Sequence, residues 1–433
     1  MGKVTGDVTG HAGQAAAGDA QGVVDHFFRH ESGKLVATLT RIFGLHNLEL
    51  AEDVVQDALH RALEVWKLKG IPENPSAWLT RVARNRAIDL IRKDGGRRSF
   101  APDLDTLQGW TLSYTVDAHF DASEIHDDQL RMMFACCHPR IPAPAQIAII
   151  LKVLCGFSVA EIARAFLATP ASIEKRITRA RSVMKKTPGL PEVSGQSAIR
   201  DRLPAVQAAL YLLFNDGYHG SHPERAIRDD LCREAIRLAI LLAEHPATGD
   251  DSDALVALMC FHASRLAARI DDAHHLVLLA DQDRSAWDHN LIARGAHYLT
   301  RSGVPDPPSA WQLEAAIAGE HCMAPDFAAT RWDRILGLYD RLLALRPSPV
   351  VALNRAIALA EVEGPAAGLA ALQALAEQGQ LATYPFLPAA MGELCRRLGR
   401  DQEASAHFEA AGSLARNPQE REVFRRKAGC RAG

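Results

Sequence analysis

The sequence lacks the short motifs by which many catalytic and metal-binding sites are identified. No two cysteines have the CxxC spacing of zinc and redox sites, and the GxSxG, HExxH and P-loop motifs are absent. No run of about 18 apolar residues occurs, and the N-terminus has no apolar core of a secretory signal. We therefore expect a cytoplasmic protein with reduced cysteines that is not an enzyme, needs no cofactor or metal and does not enter a membrane.

Signals for β-structure are scarce too. Runs of alternating β-branched residues are few, and no Asn-Gly or Asp-Gly pair joins two of them. Apolar residues instead recur at helical spacing over residues 23–93 and again from about residue 127. With 433 residues, of which 48% are hydrophobic, the chain is long enough for two or three domains. The predicted fold is all-α.

A net charge of only −3 hides three blocks of charge. Residues 81–98 hold seven basic and two acidic groups, residues 101–130 seven acidic and no basic groups, and residues 172–186 six basic and one acidic. Two basic segments on either side of an acidic connector are typical of a protein that contacts a polyanion twice. On charge alone, solvated helix faces explain these blocks better, so the local motifs must decide.

The second basic block belongs to a predicted helix-turn-helix. Ser158 and Glu161 have the capping-box spacing that begins one short helix, and Pro170 begins the next after a short turn. Four Lys or Arg residues lie in the second helix between residues 172 and 181. Such a helix fits the major groove of DNA, where Arg and Lys reach guanine edges and phosphates. We favour DNA contact over a merely solvated basic face.

The first basic block is predicted to be a helix as well. Ser76 is expected to cap a helix that begins near Ala77. Basic residues and an asparagine then spread over one broad exposed face, with Val82, Ile88 and Ile91 toward the core. Arginine donates to phosphates and base edges, and asparagine can pair with adenine. This helix is therefore a second candidate for nucleic-acid contact.

These motifs resemble those of bacterial extracytoplasmic-function sigma factors. Residues 51–57 (AEDVVQD), 74–79 (NPSAWL) and 83–92 (ARNRAIDLIR) are similar to their domain 2. Residues 156–163 (GFSVAEIA) and 173–181 (IEKRITRAR) are similar to their domain 4. The resemblance implies two partners, which are core RNA polymerase and promoter DNA with its −10 and −35 elements.

The resemblance also implies roles for individual residues. For docking on polymerase it indicates Glu52, Asp53, Gln56 and Asp57. For the −10 element it indicates Arg81, Arg84, Asn85, Asp89 and Arg92. For the −35 element it indicates Ser172, Lys175, Arg176 and Arg179. The acidic connector would thread the polymerase channel toward the RNA exit path.

The implied organisation has five parts: a disordered tail (1–22), domain 2 (23–94), an acidic linker (95–126), domain 4 (127–187) and a helical TPR-like domain (195–433). Residues 210–218 (LYLLFNDGY) and 349–356 (PVVALNRA) resemble the sigma-factor subgroup with a long TPR-like extension. In that subgroup the extension is regarded as regulatory, and no separate anti-sigma factor is implied. A faint repeat agrees with this: Gly392, Ala404, Phe408 and Ala411 fit a TPR helix pair, and Gly368, Leu372 and Leu375 stand 36 residues before the last three.

Other interpretations stay open. A stand-alone helix-turn-helix regulator with a ligand-sensing helical domain would explain domain 4, but it has no use for a polymerase-docking segment. Residues 136–138 (CCH) could hold a metal ion, but two adjacent cysteines point in different directions on a helix and no second ligand pair follows. Residues 271–275 (DDAHH) could hold a cation too, and a polar helix corner explains them better. Residues 216–222 are either a loop beside a cleft or a helix end with Gly217 as its stop, and we favour an interdomain contact.

Overall fold

The computed structural model describes residues 28, 31–94, 127–166, 168–186, 196–219, 227–271, 277–303, 305–415 and 417–429, and for 91–94 the backbone alone. These residues form helices joined by turns, without a β-strand among them, so the all-α prediction is confirmed. The predicted tail (1–22), the acidic linker (95–126) and the segment 187–195 lie outside the described residues. What we predict for them stays a prediction.

The chain divides into two compact units, Met1–Ala209 and Leu210–Gly433. The helices of the first unit are α1 (31–43), α2 (Leu48–Lys69), α3 (Pro75–Asp94), α4 (Asp128–Cys136), α5 (Ala143–Val153), α6 (Val159–Ala165), α7 (Pro170–Met184) and the first part of α8 (Gln196–His219). The division therefore falls inside α8, past the residue 195 at which we predicted the C-terminal domain to begin.

Helix α3 packs on α2 through small residues. Leu79, Ala83 and Ala87 are completely buried and follow one another at a spacing of four, which places them on one face of the helix. Val82 and Ile88, which we predicted to point to the core, are half-buried beside this face, and the side chain of Ile91 lies outside the described part. The alanines take the core side because they let the two helix backbones approach closely, and the branched residues flank them.

The start of α3 also differs from the prediction. The helix begins at Pro75, and the Asn74 side-chain oxygen accepts a hydrogen bond from the Ala77 backbone N–H at 3.0 Å. Asn74 is therefore the capping residue, and the prediction that Ser76 has this role is wrong. Proline is favoured in the first turn of a helix because its fixed φ suits the helix and it has no N–H to leave unpaired.

Among its described residues, the second unit contains the rest of α8 and ten further α-helices. They are α9 (Asp229–Glu244), α10 (Gly249–Ala263), α11 (His289–Arg301), α12 (Ala310–Met323), α13 (Trp332–Leu345), α14 (Pro349–Val362), α15 (Pro365–Glu377), α16 (Phe386–Arg397), α17 (Asp401–Leu414) and α18 (Pro418–Gly429). Helix α10 lies at the centre of the first part, packed against α9, α11 and α12. Every side chain from Ala254 to Phe261 is at most 1% exposed, as expected for a helix that is apolar all round.

The interpretation of Gly217 as a helix stop is wrong, because α8 continues to His219. A Cβ atom at Gly217 would lie 2.7 Å from the Arg228 carbonyl oxygen and 2.9 Å from the Cys232 Sγ. The Gly217 carbonyl in turn accepts a hydrogen bond from the Arg228 N–H at 2.8 Å. Glycine is needed here because the chain entering α9 touches the backbone of α8.

The repeat in the distal third corresponds to two helix pairs. Helices α14 and α15 form one pair, and α16 and α17 form the next. A Cβ atom at Gly368 would lie 2.8 Å from the Ala356 carbonyl oxygen, and a Cβ atom at Gly392 would lie 3.2 Å from the Ala404 carbonyl oxygen. In each pair a glycine of one helix thus contacts an alanine of the other. The alanine is on the first helix in the pair α14–α15, and the glycine is on the first helix in the pair α16–α17. Stacked pairs of this kind bury faces that a single pair leaves open.

A buried histidine makes the stability of the second unit depend on pH. Burial and the nearby Arg265 and Arg269 lower the pKa of His262 to about 3. A histidine whose folded pKa lies below its unfolded value of about 6.5 adds stability above that pH, and this is lost as the pH falls. Because of this residue, we expect the free energy of unfolding to be roughly 1 kcal/mol lower at pH 5.5 than at pH 6.5. Urea titrations at both pH values check this, and a His262→Gln variant with an unchanged pH dependence would contradict it.

Candidate nucleic-acid interface

The predicted helix-turn-helix is present as α6 and α7. The Ser158 Oγ accepts a hydrogen bond from the Glu161 N–H at 3.2 Å, and the Glu161 carboxylate accepts one from the Ser158 N–H at 2.7 Å. The capping box is therefore confirmed. The Thr169 Oγ1 accepts a hydrogen bond from the Ser172 N–H at 3.3 Å, and Pro170 occupies the first turn of α7. Local side chains thus fix where both helices begin.

Removing the first of these caps should destabilise the first unit slightly. We expect Ser158→Ala to lower the free energy of unfolding by about 1 kcal/mol, because it leaves the Glu161 N–H without its acceptor. Urea denaturation of the full chain measures the change. Ser182→Ala is the matched control, since Ser182 is exposed inside α7. Equal effects of the two substitutions would contradict the role of the cap.

Helix α7 has one buried face and one basic face. The residues that α7 buries are Ile173, Ile177, Ala180 and Met184. On the opposite side Lys175 and Arg179 are exposed, whereas Ser172 is half-buried. Arg176 is half-buried as well, and its guanidinium lies 5.6 Å from the centre of the Phe166 ring. Lys175 and Arg179 are therefore the freest cations of this set, and Arg176 is held against the preceding helix.

Helix α3 also presents one polar face. Arg81, Asn85 and Asp89 are exposed and stand four residues apart, so they form a single stripe along the helix. Arg84 is half-buried, and its Nε has no hydrogen-bond partner among the described residues. The side chain of Arg92 lies outside the described part. The structure thus brings together three of the five residues predicted for the −10 element.

The four residues of α2 that we predicted to dock on polymerase differ in their accessibility. Asp53 and Gln56 are exposed and make no hydrogen bond or ion pair among the described residues. Asp57 is exposed too, but it accepts a hydrogen bond from the Nε of Arg86 on α3 at 2.7 Å. Glu52 is less accessible, because only about a quarter of its side chain is exposed (24%). The predicted docking face is therefore partly covered.

The partner that covers Glu52 is Arg181 of α7. The two side chains form a bidentate ion pair, in which the Arg181 Nη2 lies 2.8 Å from the Glu52 Oε1. Hydrogen bonding to this carboxylate raises the pKa of Arg181 above its already high value. Beside it, the Lys185 Nζ lies 3.8 Å from a Glu49 oxygen, with both side chains largely exposed. A residue predicted to bind polymerase is thus paired with the helix predicted to bind DNA.

Other contacts hold the same two parts of the first unit together. The Thr38 Oγ1 on α1 donates to an Asp128 oxygen on α4 at 3.1 Å, and an Arg41 nitrogen lies 3.5 Å from the same carboxylate. A Cβ atom at Gly33 would lie 2.1 Å from the Leu154 carbonyl oxygen, so only glycine fits there. The Glu52–Arg181 pair is therefore part of a larger contact.

Sequence reasoning did not assign roles to Arg86 and Arg181. Both lie in basic runs, and that was the only signal available. Their carboxylate partners are 29 and 129 residues away along the chain, too far for a local pattern to indicate a pair.

The remaining candidates are the two segments considered for metal binding and any helix that could span a membrane. Cys136 and Cys137 are buried, and burial raises the pKa of both thiols, that of Cys137 to about 12. No group of three or more His, Cys, Asp or Glu side chains in the described part of the chain is arranged to hold a metal ion. Residues 272–275 of the DDAHH segment lie outside that part. None of the described helices combines the length and the apolar character needed to cross a bilayer.

Comparison with known proteins gives three family matches. Residues 27–97 match Sigma-70 region 2, and residues 131–184 match Sigma-70, region 4. Residues 202–303 match a family of unknown function (DUF6596). The uncharacterized protein R00370 of Rhizobium meliloti (strain 1021) is 38% identical over 396 residues, which cover 90% of this chain and 91% of that protein. No solved structure matches.

The two sigma-70 matches cover the segments whose motifs resemble domain 2 and domain 4, and they occur in the same order along the chain. Members of that family are transcription initiation factors rather than enzymes, and they bind core RNA polymerase and promoter DNA. The chain belongs to the sigma-70 family, as a sigma factor of the extracytoplasmic-function type that carries an additional C-terminal helical domain.

Proposed function

We propose that this sigma factor docks on core RNA polymerase through α2, reads the −10 element through α3 and the −35 element through α7, and is regulated by its C-terminal domain. The observation that carries the proposal is the exposed pair Lys175 and Arg179 on α7, opposite a buried face. The second helix of a helix-turn-helix enters the major groove, where such cations reach phosphates and guanine edges.

The polar stripe of α3 supports the second contact. Arg81 can donate to a phosphate or a base edge, and the amide of Asn85 can pair with adenine. Asp89 is an acceptor on the same stripe, so the face is not purely a phosphate-binding surface. A stripe with one cation, one amide and one carboxylate is suited to reading bases rather than to neutralising a backbone.

Promoter binding requires the first unit to open. By their names the two promoter elements are centred roughly 25 base pairs apart, which at about 3.4 Å per base pair is roughly 80 Å. Helix α3 packs on α2, which the Glu52–Arg181 ion pair joins to α7, so α3 and α7 cannot reach both elements in this arrangement. We therefore assign the described arrangement to the polymerase-free protein, in which this ion pair covers Glu52, and we expect polymerase binding to break the pair.

Regulation by the C-terminal domain is supported by its continuity with the sigma part. The relative from Rhizobium meliloti aligns over 90% of this chain, so both proteins carry the extension together with the sigma regions. Stacked helix pairs offer extended surfaces on which a partner or the sigma part can bind. An extension of this kind can therefore adjust activity without a separate regulator.

The test is run-off transcription with purified core RNA polymerase from a related bacterium, on the promoter of the protein's own operon. The proposal predicts a specific transcript that forms only when this protein is added. Absence of a transcript and of co-elution with core polymerase, despite DNA binding in a mobility shift, would overturn it and favour the stand-alone regulator.

A further inference from the structure

Three arginines gather in the first part of the C-terminal unit. The guanidinium of Arg269 lies 3.8 Å from the centre of the Tyr218 ring, and those of Arg265 and Arg284 lie 5.4 Å and 4.9 Å from the centre of the Trp287 ring. We call these three residues the arginine cluster. The surrounding sequence is acidic, since residues 190–433 contain 25 basic and 31 acidic side chains. The cluster is thus a local concentration of positive charge.

Among the described residues no carboxylate forms a hydrogen bond or an ion pair with these three arginines, although Glu420 and Asp326 act on Arg269 and Arg284 from farther away. Arg265 donates to the Gln282 Oε1 at 3.2 Å, and Arg284 donates to two backbone carbonyl oxygens at 2.6 Å and 2.7 Å. The neutral groups that accept hydrogen bonds from the cluster are Gln282, Tyr218, His321, Ala324 and Thr330. The hydrogen-bond donors of the cluster therefore face neutral oxygens.

Other arginines of the same unit pair with carboxylates even though they are more exposed than the cluster. The Nε of Arg301 lies 2.8 Å from an Asp253 oxygen, and that of Arg331 lies 2.7 Å from a Glu320 oxygen. Such pairing is the usual arrangement, because an unpaired charge away from water is costly. Burial lowers the pKa of Arg269 and of Arg284, which expresses that cost.

Unpartnered polar atoms at the same place are a second, independent indication. The Nδ1 atoms of His262 and His321 and the Nε1 of Trp287 are buried without a hydrogen-bond partner in the described part of the protein. The His262 ring lies 5.2 Å from the Tyr218 ring, and the His321 carbonyl accepts a hydrogen bond from Arg284. Native proteins contain few such atoms, because a buried polar group without a partner is destabilising.

We propose that the arginine cluster binds a small molecule that carries a phosphate or carboxylate group. The planar fork of a guanidinium matches both groups, and three guanidiniums can neutralise a multiply charged anion. The Trp287 indole N–H supplies a further donor beside the cluster. That such a ligand adjusts transcription rests on the proposed regulatory function, but binding itself does not.

The test is isothermal titration of the full chain, without polymerase or DNA, with inorganic phosphate and, separately, with citrate. Sodium chloride at the same ionic strength is the control for general salt effects. We expect saturable binding of at least one of the two anions, and the stronger of the two identifies the group that is recognised. Arg265→Gln should weaken that binding about tenfold or more, because it removes one charged donor pair.

Arg301→Gln is the matched control, since it removes an arginine of the same unit that already has a carboxylate partner. It should leave anion binding unchanged. If Arg265→Gln alters the melting curve of the free protein, Arg265→Lys replaces it, because lysine keeps the charge and loses only the fork. Absence of saturable binding of both anions, or equal binding by the parent and the Arg265 variant, would overturn the proposal. Neither result depends on whether the protein supports transcription.

Discussion

A chain with Lys175→Glu and Arg179→Glu is expected to form a holoenzyme that binds its promoter about 100-fold more weakly, with its affinity for core polymerase unchanged. The two side chains are exposed on the face of α7 opposite Ile173 and Ile177, so the substitutions do not disturb the core. A direct base contact contributes about 1–3 kcal/mol, and each lost phosphate contact lowers the salt dependence of binding by about one unit of slope. Reversing the charge adds repulsion from the DNA backbone.

The measurement is a holoenzyme mobility shift on a promoter fragment over a series of salt concentrations. Lys67→Glu with Lys69→Glu is the matched control, because it makes the same change in net charge at exposed positions near the end of α2. We expect the slope of log affinity against log salt to fall by about two for the α7 variant and by little for the control. An equal loss of promoter and polymerase binding would contradict the role given to α7.

The sequence was informative where structure is decided locally. Ser158, Glu161 and Pro170 mark the helix starts because a cap acts on backbone groups within three residues. Asn74 and Ser76 are both good caps by residue type, and the proline between them decides in favour of Asn74. The repeat was readable because close helix packing requires small residues at fixed spacing, as at Gly368 and Gly392.

Contacts between distant segments could not be derived in this way. Glu52 and Arg181 are 129 residues apart, and each lies in a pattern that explains it without the other. The same holds for the arginine cluster, since nothing in the sequence near Arg265 or Arg284 shows that no carboxylate will fold against them. Residue types and helix starts follow from local rules, whereas charge pairing depends on the packing of the whole unit.

Arg181→Ala is expected to raise the apparent affinity for core polymerase about five- to thirtyfold. The bidentate ion pair that covers Glu52 contributes about 1–2 kcal/mol to the closed arrangement, an estimate reduced because both side chains are about a quarter exposed. When the binding-competent form is a minor one, affinity rises in proportion to its population. Binding is measured by fluorescence anisotropy of labelled protein titrated with core polymerase.

The matched control for this prediction is Lys185→Ala. Lys185 pairs with Glu49 at 3.8 Å across the same contact, but the two side chains are 71% and 65% exposed, and an ion pair of that kind contributes little. Both substitutions remove one positive charge from the end of α7, so a general charge effect would move them together. A rise for Arg181→Ala alone identifies the Glu52–Arg181 ion pair as the contact that polymerase must break. A fall in affinity, or no change, would mean that polymerase can bind while the contact between α2 and α7 stays in place, which would contradict the prediction.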